Sequence, residues 1–384
     1  MTQQGLRQAS AKALSGFATA TNYSEDFLRL FDAGGVPAGT FNERQLRWIN
    51  DRMGGGYTNL NDAMQAYAAG QGFYNWSSMG VLENTANFTL GMPAGSTYTR
   101  TGAATGLALD LTPEGFAADV PQQTNRGLAL ELEATNSLSN SVAAGAVVGT
   151  PGTLPTGWPS NMGGLTFTVT GTGTEDGIDY VEVRFSGTTS GALFNLRFGA
   201  DTAVPAAIGQ VWNGSAFVRL VGGTLTNVTM IDIHLLERDA GGGSVGRNGT
   251  PFTPTSAALK TQRYQHTRTF TIPTTAFAQT AILATCGVGV AIDMTLRIGW
   301  PQLERNVMTS PIVTDGAPVT RGLPIFLEPV PADRTKALLT YIDASTTLVE
   351  TLTPGDTFDY TDTVITAGKG AYGVSELASR VWQP

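Results

Sequence analysis

Short runs of alternating apolar and polar residues, each ended by glycine or proline, constrain the fold of this chain more than any other feature. Met294, Leu296 and Ile298 alternate with Thr295 and Arg297, as in a strand with one buried face. Similar runs occur at residues 128–133, 165–170, 180–186, 193–198, 217–221, 229–237, 265–272 and 280–285. About nine short strands at this spacing predict a β-sandwich of the jelly-roll type.

Glycine-containing turns divide these strands. Asp176-Gly177 lies between two predicted strands and indicates a hairpin turn whose central residues need positive φ. Gly241, Gly242 and Gly243 mark a second turn. The composition agrees, since 14% of the residues are charged, 47 are glycine and 19 are proline. Such a chain suits many strands joined by turns and argues against a helical bundle.

Charge and cysteine content exclude several kinds of function. A net charge of −8 argues against a nucleic-acid partner, which requires a basic face. Cys286 is the only cysteine, so neither an intramolecular disulfide nor a thiolate metal cluster is expected, and we interpret it as a small buried hydrophobe. The sequence has no run of about 18 apolar residues and no apolar signal-peptide core. We therefore expect no cofactor, no metal and no membrane partner.

The first part of the chain differs from the rest by its helical periodicity. Leu6, Ala9 and Ala13 recur at helical spacing, and Thr40 and Glu43 have the spacing of a capping box. We predict a small α-helical module there, with a boundary near Gly80. After the sandwich, a proline-rich connector leads to a small C-terminal β domain. The predicted division is residues 1–80, 81–322 and 323–384.

Two long irregular segments, residues 96–136 and 300–321, flank the predicted sandwich. Trp300 and Pro301 are expected to end the strand that begins at Met294, because proline has no N–H for the ladder. We expect the two segments to lie side by side and to close one domain, with Trp300 packed beneath the second. The residues expected to share one core are Leu128, Leu130, Leu132, Leu296 and Ile298.

Residues 96–322 carry a resemblance to a known family. The segments concerned read TYTRTGAATGLALDLTPEG, RGLALELEATNSLSNS, PQLERN and TSPIVTDGAPVTRG. They resemble tailed-bacteriophage virion proteins, tail or head fibres and spikes, in which a concanavalin-like or carbohydrate-binding-module-like jelly roll lies between two such segments. The resemblance implies a homo-oligomer that assembles into a virion in the host cytoplasm. It also implies attachment to other virion proteins through residues 1–80 and a host-surface glycan as ligand.

Groups suited to catalysis or metal binding are scarce in this sequence. His234 and His266 are the only histidines and lie on predicted strands, where packing is favoured over a role as base or ligand. The chain lacks a nucleophile elbow, a phosphate-binding loop, a dinucleotide fingerprint and zinc-ligand spacing. Carboxylates remain, and glycoside hydrolysis needs two of them. The candidates are Glu131, Glu133, Glu175, Asp176, Asp179, Glu182, Glu237 and Asp239.

Solvated strand faces explain these acids better than a catalytic pair does. A calcium site at Glu175, Asp176 and Asp179 is an alternative, because hard oxygen ligands on a tight loop suit that ion. Trp158 and Trp212 are the candidate ligand-binding residues. They lie in polar, turn-rich surroundings, where an exposed ring could stack on a sugar. Packing in the core is the other interpretation of both tryptophans.

The sequence therefore predicts a mainly β virion structural protein that is not an enzyme. Its parts are a helical module, a jelly roll and a small C-terminal β domain. Two alternatives remain open: a depolymerase of capsule or lipopolysaccharide, and an architectural decoration protein without receptor function. Two carboxylates about 5 to 9.5 Å apart in a cleft would favour hydrolysis. A flat face of exposed aromatic rings would favour binding.

Overall fold

A computed structural model of the chain describes residues 85–87, 93, 95–107, 111–124, 127–306, 308–341, 345–360 and 375–383. The helices expected within residues 1–80 lie outside these residues. The described part is almost entirely antiparallel β-structure, with a short 3-10 turn at Leu259–Thr261. It contains no helix long and apolar enough to cross a membrane. The mainly β class predicted from the alternating pattern is confirmed.

The described strands, in chain order, are β1 Thr85–Asn87, β2 Thr97–Thr99, β3 Ala104–Leu107, β4 Pro113–Phe116, β5 Gln123–Thr124, β6 Gly127–Leu130, β7 Ala134–Asn136, β8 Ser160–Asn161, β9 Thr166–Glu175, β10 Ile178–Thr188, β11 Leu193–Phe198, β12 Val204–Pro205, β13 Val211–Gly223, β14 Val228–Arg238, β15 Ser244–Phe252, β16 Arg263–Thr269, β17 Phe277–Cys286, β18 Ala291–Arg305, β19 Val319–Arg321, β20 Ile325–Pro329, β21 Lys336–Tyr341, β22 Thr346–Val349, β23 Thr357–Asp359 and β24 Ser375–Gln383.

Two antiparallel sheets form the central sandwich. Sheet one has the order β16-β13-β18-β10-β9, and sheet two has the order β15-β14-β17-β11-β8, with β12 added beside β17. Between β9 and β18 the chain passes repeatedly from one sheet to the other, which is the jelly-roll arrangement. Alternation explains the core: Val181, Val183 and Phe185 point inward, and Glu182 and Arg184 point outward. The predicted jelly-roll sandwich is confirmed.

The predicted end of one strand at Trp300 and Pro301 is wrong. β18 continues to Arg305, because Trp300 adopts a φ of 41° and forms a bulge opposite β13. At this bulge the register shifts between Ser215 and Phe217. A bulge is one of the few places where a sheet accepts proline, so the ladder resumes after Pro301.

Other strand and turn predictions agree with the structure to different degrees. The predicted strand 193–198 coincides with β11, whereas most others are longer than predicted. The hairpin turn is confirmed, since Asp176 and Gly177 have φ values of 50° and 82°. β15 was not predicted, because its sequence SVGRNGTPF has no apolar alternation.

The C-terminal residues form a second unit, and this unit includes strands from the first irregular segment, residues 96–136. Its larger sheet has the order β22-β21-β24-β6-β5, and a three-stranded sheet has the order β2-β20-β23. Leu128 and Leu130 of β6 pack there with Phe326 and Leu339, and Leu128 pairs with Leu377 across the ladder. The predicted shared core is therefore wrong. Alternation showed that these leucines have a buried face, but it did not show which core buries them. Leu132 is not buried, with 45% of its surface exposed.

The two irregular segments lie side by side, as predicted. β7 pairs with β19, so that Ala134 lies opposite Arg321. Glu131 pairs with Arg321 at 3.0 Å between Oε2 and Nη2, and its carboxylate also accepts the Ser310 N–H at 2.8 Å. Glu131 is only 2% exposed, so its interpretation as a solvated residue was wrong. Trp300 is buried in a small cluster against which Val313 of the second segment packs, as predicted.

Candidate functional site

A row of charged side chains crosses the outer face of sheet one, the face turned away from the core. Arg219 of β13 lies opposite Arg297 of β18, Arg297 lies opposite Glu182 of β10, and Glu182 lies opposite Gly171 of β9. Like charges directly opposite each other destabilise a sheet. The Arg219–Arg297 pair is tolerated because carboxylates flank it, Glu182 on the sheet and Glu175 at the end of β9.

Glycines on β9 leave room above this row. A Cβ on Gly171 would lie 2.8 Å from a Glu182 carboxylate oxygen, and one on Gly173 would lie 3.0 Å from the Tyr180 hydroxyl. The side chains of Glu182 and Tyr180 on β10 can therefore extend over the neighbouring strand β9. The sequence TGTGT at residues 170–174 carries this signal, because every second residue is glycine and both glycines fall on the outer face of the strand.

The row forms part of the lining of a cleft of about 390 Å³. Its lining residues are Thr170, Glu182, Arg219, Leu220, Val221, Gly222, Ser256, Thr295 and Arg297. Ser256 belongs to a loop that Gln262 fixes, accepting the Thr255 N–H at 2.7 Å and donating to the Ala257 carbonyl at 2.6 Å. Gln262 is 5% exposed. The wall is therefore held in place by buried hydrogen bonds, and the cleft is preformed.

An ion-pair network fixes the charged groups. Glu175 accepts hydrogen bonds from Arg219 Nη1 at 2.7 Å, from the Leu259 N–H at 2.9 Å and from Arg297 Nη1. Arg297 also donates to Glu182 through Nε at 3.1 Å and through Nη2, and it lies 4.0 Å from the centre of the Tyr180 ring. Burial raises the pKa of Glu175, but these hydrogen bonds outweigh it, so that the pKa lies below its usual value.

Some hydrogen-bonding capacity in the cleft is unused. Arg219 Nε is buried and has no partner among the described residues. Glu182 Oε2 accepts from Thr170 Oγ1 at the long distance of 3.4 Å. A buried donor without a partner is uncommon in native structures. The cleft thus offers the partly exposed guanidinium of Arg219 at one end and a carboxylate acceptor of Glu182 at the other.

The tryptophans proposed as ligand-binding residues have no exposed rings. Trp158 is 4% exposed and packs edge-on against Phe198, while its Nε1 donates to the Asn140 carbonyl at 3.0 Å. Trp212 is 3% exposed and stacks on Phe270. The expectation of exposed rings was wrong, because both indoles fill the core, and the polar residues that follow Trp212 on β13, Asn213 and Ser215, are themselves buried. The packing interpretation is the correct one for both residues.

The other candidate residues are dispersed in the structure. His234 and His266 are buried, His234 against Asp232 at 2.9 Å and His266 against Thr250 at 2.8 Å, which agrees with packing. Glu237 is buried as well, so its interpretation as a solvated residue was wrong. It accepts hydrogen bonds at the end of the sandwich from Thr275, Ile272 and Arg268.

The acids of the suggested calcium site do not converge. The Asp176 carboxylate lies 3.8 Å from the Lys260 ammonium group, and the Asp179 carboxylate accepts a hydrogen bond from the Thr174 hydroxyl at 2.8 Å. Glu175 pairs instead with Arg219 of the cleft lining. In the described part of the chain, no three histidine, cysteine or acidic side chains are placed to hold a metal ion. Glu175 and Glu182 were predicted from the sequence only as acidic residues near a turn, and no functional role was predicted for Arg219 or Arg297.

Comparisons with known proteins give structural likenesses alone. No protein-family model and no curated protein matches the chain. The enzymatically active domain of tailspike protein 4 from bacteriophage CBA120 is similar at 14% identity and a TM-score of 0.24, over 38% of this chain and 19% of that one. The CBM22-1 xylan-binding domain from Paenibacillus barcinonensis is similar at 15% identity and a TM-score of 0.30, over 44% and 93%.

A carbohydrate-binding module of the CBM4 class is similar at 13% identity and a TM-score of 0.27, over 44% of this chain and 99% of that one. The chain thus spans about a fifth of the tailspike structure (19%) and nearly all of the two binding modules. TM-scores this low carry no functional weight. The jelly-roll assignment rests on the strand topology.

Proposed function

We propose that the jelly roll is a glycan-binding domain and that the cleft on sheet one receives the glycan. The observation that carries this proposal is the preformed polar cleft. The Arg219 side chain is 27% exposed in the cleft lining, and Glu182 retains a weakly used acceptor. Sugar hydroxyls both donate and accept hydrogen bonds, so they match such a mixed lining. Because the side chains are already fixed by ion pairs, little conformational entropy is lost on binding.

We further propose that the protein is a bacteriophage virion structural protein, a fibre or spike subunit that assembles as a homo-oligomer in the host cytoplasm. Residues 1–80 would attach it to other virion proteins, and the jelly roll would present the cleft to the host surface. The support for this part is the sequence resemblance of residues 96–322. A structure of the intact particle would test it, and attachment through the jelly roll instead of residues 1–80 would contradict it.

We infer that the cleft binds without cleaving. A glycosidase needs one carboxyl group with a raised pKa as acid and a second as base or nucleophile. Glu175 and Glu182 both contact Arg297, and the pKa of Glu175 is lowered. This favours two permanent carboxylates in a structural network. The competing depolymerase interpretation predicts release of reducing ends from host capsule or lipopolysaccharide, which we expect to be absent for the purified protein.

A cleft-filling substitution tests the proposed binding. Ser256→Trp would place an indole in a cleft of about 390 Å³ without changing any charged residue. Ser244→Trp is the matched control, since Ser244 is an exposed serine on β15 of the other sheet. We expect the wild type and the control to be retained on immobilised host polysaccharide, and Ser256→Trp to pass through at an unchanged melting temperature. Equal retention of both variants would contradict a role for the cleft. Failure of all three proteins to bind would favour the architectural alternative.

A further inference from the structure

The charges of the ion-pair network at the cleft cancel. Arg219, Arg297 and Glu182 line the cleft, and Glu175 lies outside the lining but pairs with both arginines, so the network holds two positive and two negative charges. The ion pairs at its margins are also balanced: Arg184 pairs with Asp293 at 2.8 Å, and Lys260 lies 3.8 Å from Asp176. The whole chain carries a net charge of −8. An anionic ligand is therefore offered no excess positive charge near the cleft and a repulsive field at longer range.

The two arginines differ in what they can offer a ligand. Arg297 donates through Nε, Nη1 and Nη2 to the two glutamates and stacks on Tyr180, so its planar group is held on all sides. Arg219 donates to Glu175 through Nη1 and makes no such contact with Glu182. Its side chain is 27% exposed, against 18% for Arg297. Arg219 is thus the arginine of the row that a ligand can reach more easily.

The positions of these groups set the length of ligand that can contact both. Arg219 and Glu182 lie on the same row, separated by Arg297, and so are two strand spacings apart. This is a span of about 9.5 Å between backbones, given the spacing of neighbouring strands. A ligand that meets a donor at one end and an acceptor at the other must carry hydroxyl groups along one edge.

We propose that the cleft selects uncharged glycans over acidic ones, with Arg219 as a ligand-contacting residue that determines specificity. This inference rests on the proposed glycan-binding function. An acidic sugar on Arg219 would compete with Glu175 for the same guanidinium and would bring a third carboxylate beside Glu182. Like charges brought together in a partly desolvated cleft are strongly unfavourable. An uncharged sugar needs no change in the network.

A matched pair of ligands tests this selectivity. The probes are uronic-acid oligosaccharides with free carboxylates and the same oligosaccharides after methyl esterification, which removes the charge and keeps the backbone. They are accompanied by a set of neutral oligosaccharides, and binding is measured by calorimetry on the full chain. We expect the uncharged form of each pair to bind at least about tenfold more tightly. Tighter binding of the free acids by the wild type would overturn the selectivity while leaving glycan binding intact. Absence of binding to every neutral and acidic probe would overturn both proposals.

Three variants test whether the cleft determines the selectivity for uncharged glycans. Glu182→Gln gives the cleft one excess positive charge, and we expect it to gain affinity for the free acids that is lost again at high salt. Asp293→Asn is the control, because it adds the same charge on the same face but outside the cleft lining, and it should leave the ratio of affinities unchanged. Arg219→Gln should weaken neutral binding about tenfold or more at an unchanged fold. A ratio that shifts equally in Glu182→Gln and Asp293→Asn would refute the assignment to the cleft.

Discussion

Removing the positive charge of Arg321 should destabilise the junction between the sandwich and the C-terminal unit. Arg321 is 0% exposed and Glu131 is 2% exposed, and their side chains pair at 3.0 Å. Arg321→Met preserves much of the aliphatic length and deletes the charge. Breaking a buried ion pair by removing one partner costs about 3 to 5 kcal/mol. Glu131 would keep its hydrogen bonds from Ser310 and from Gln122 Nε2. We therefore expect the lower end of that range, about 3 kcal/mol.

This loss is a large fraction of the stability of an ordinary domain, about 5 to 15 kcal/mol, so it is measurable by urea unfolding. The double variant Arg321→Met with Glu131→Gln removes both charges, and it should be more stable than the sum of the two single changes predicts. Arg184→Met is the control. Its pair with Asp293 is exposed, and no measurable change is expected. Wild-type unfolding of Arg321→Met, or strict additivity in the double variant, would show that the buried Glu131–Arg321 pair does not stabilise the junction.

Three further predictions concern the cores and pH dependence. Leu130→Ala and Leu296→Ala should each cost about 2 to 5 kcal/mol and should be additive in urea unfolding, because the leucines lie in separate cores; strong coupling would contradict this separation. Burial raises the pKa of Glu304 above 4.5, despite hydrogen bonds from Thr309. The folded protein therefore binds a proton at Glu304 more tightly than the unfolded chain does, and this contribution to the stability of the fold is lost as pH rises through the pKa of the folded state. The melting temperature of Glu304→Gln relative to wild type should therefore increase from pH 4 to pH 8, and a constant difference would contradict the shift. Burial lowers the pKa of His266 below 6.5, so wild-type stability should fall as pH decreases below 6.5, and the fall should be smaller in His266→Gln.

The parts of the fold that local pattern determines could be predicted from the sequence. Apolar and polar residues alternate throughout β11, and both predicted ends of this strand agree with the structure. The Asp176-Gly177 turn needs the positive φ that glycine permits. Alternation shows that a face is buried but not which core buries it, so Leu128 and Leu130 were assigned to the wrong unit. β15 shows no alternation, because its glycines and polar residues lie at an edge of the sheet.

The cleft was harder to predict because it depends on register between distant strands. Arg219, Arg297 and Glu182 lie far apart in the sequence and become neighbours only when β13, β18 and β10 pair as they do. The alternating glycines at 171 and 173 were a local signal of space above a strand. Trp158 was misleading for the opposite reason. Its neighbours are polar and turn-forming, but its ring fills the core against Phe198.

A structure of the protein bound to a fragment of its host polysaccharide would show whether the cleft is the glycan-binding site. We expect the fragment to lie in the cleft on the outer face of sheet one, with hydroxyl groups on Arg219 and on the Glu182 carboxylate and with Ser256 beside it. The ion pairs of Glu175 with Arg219 and Arg297 should be unchanged from the unbound protein. A fragment bound to any other surface, with this cleft empty, would rule out the cleft as the glycan-binding site.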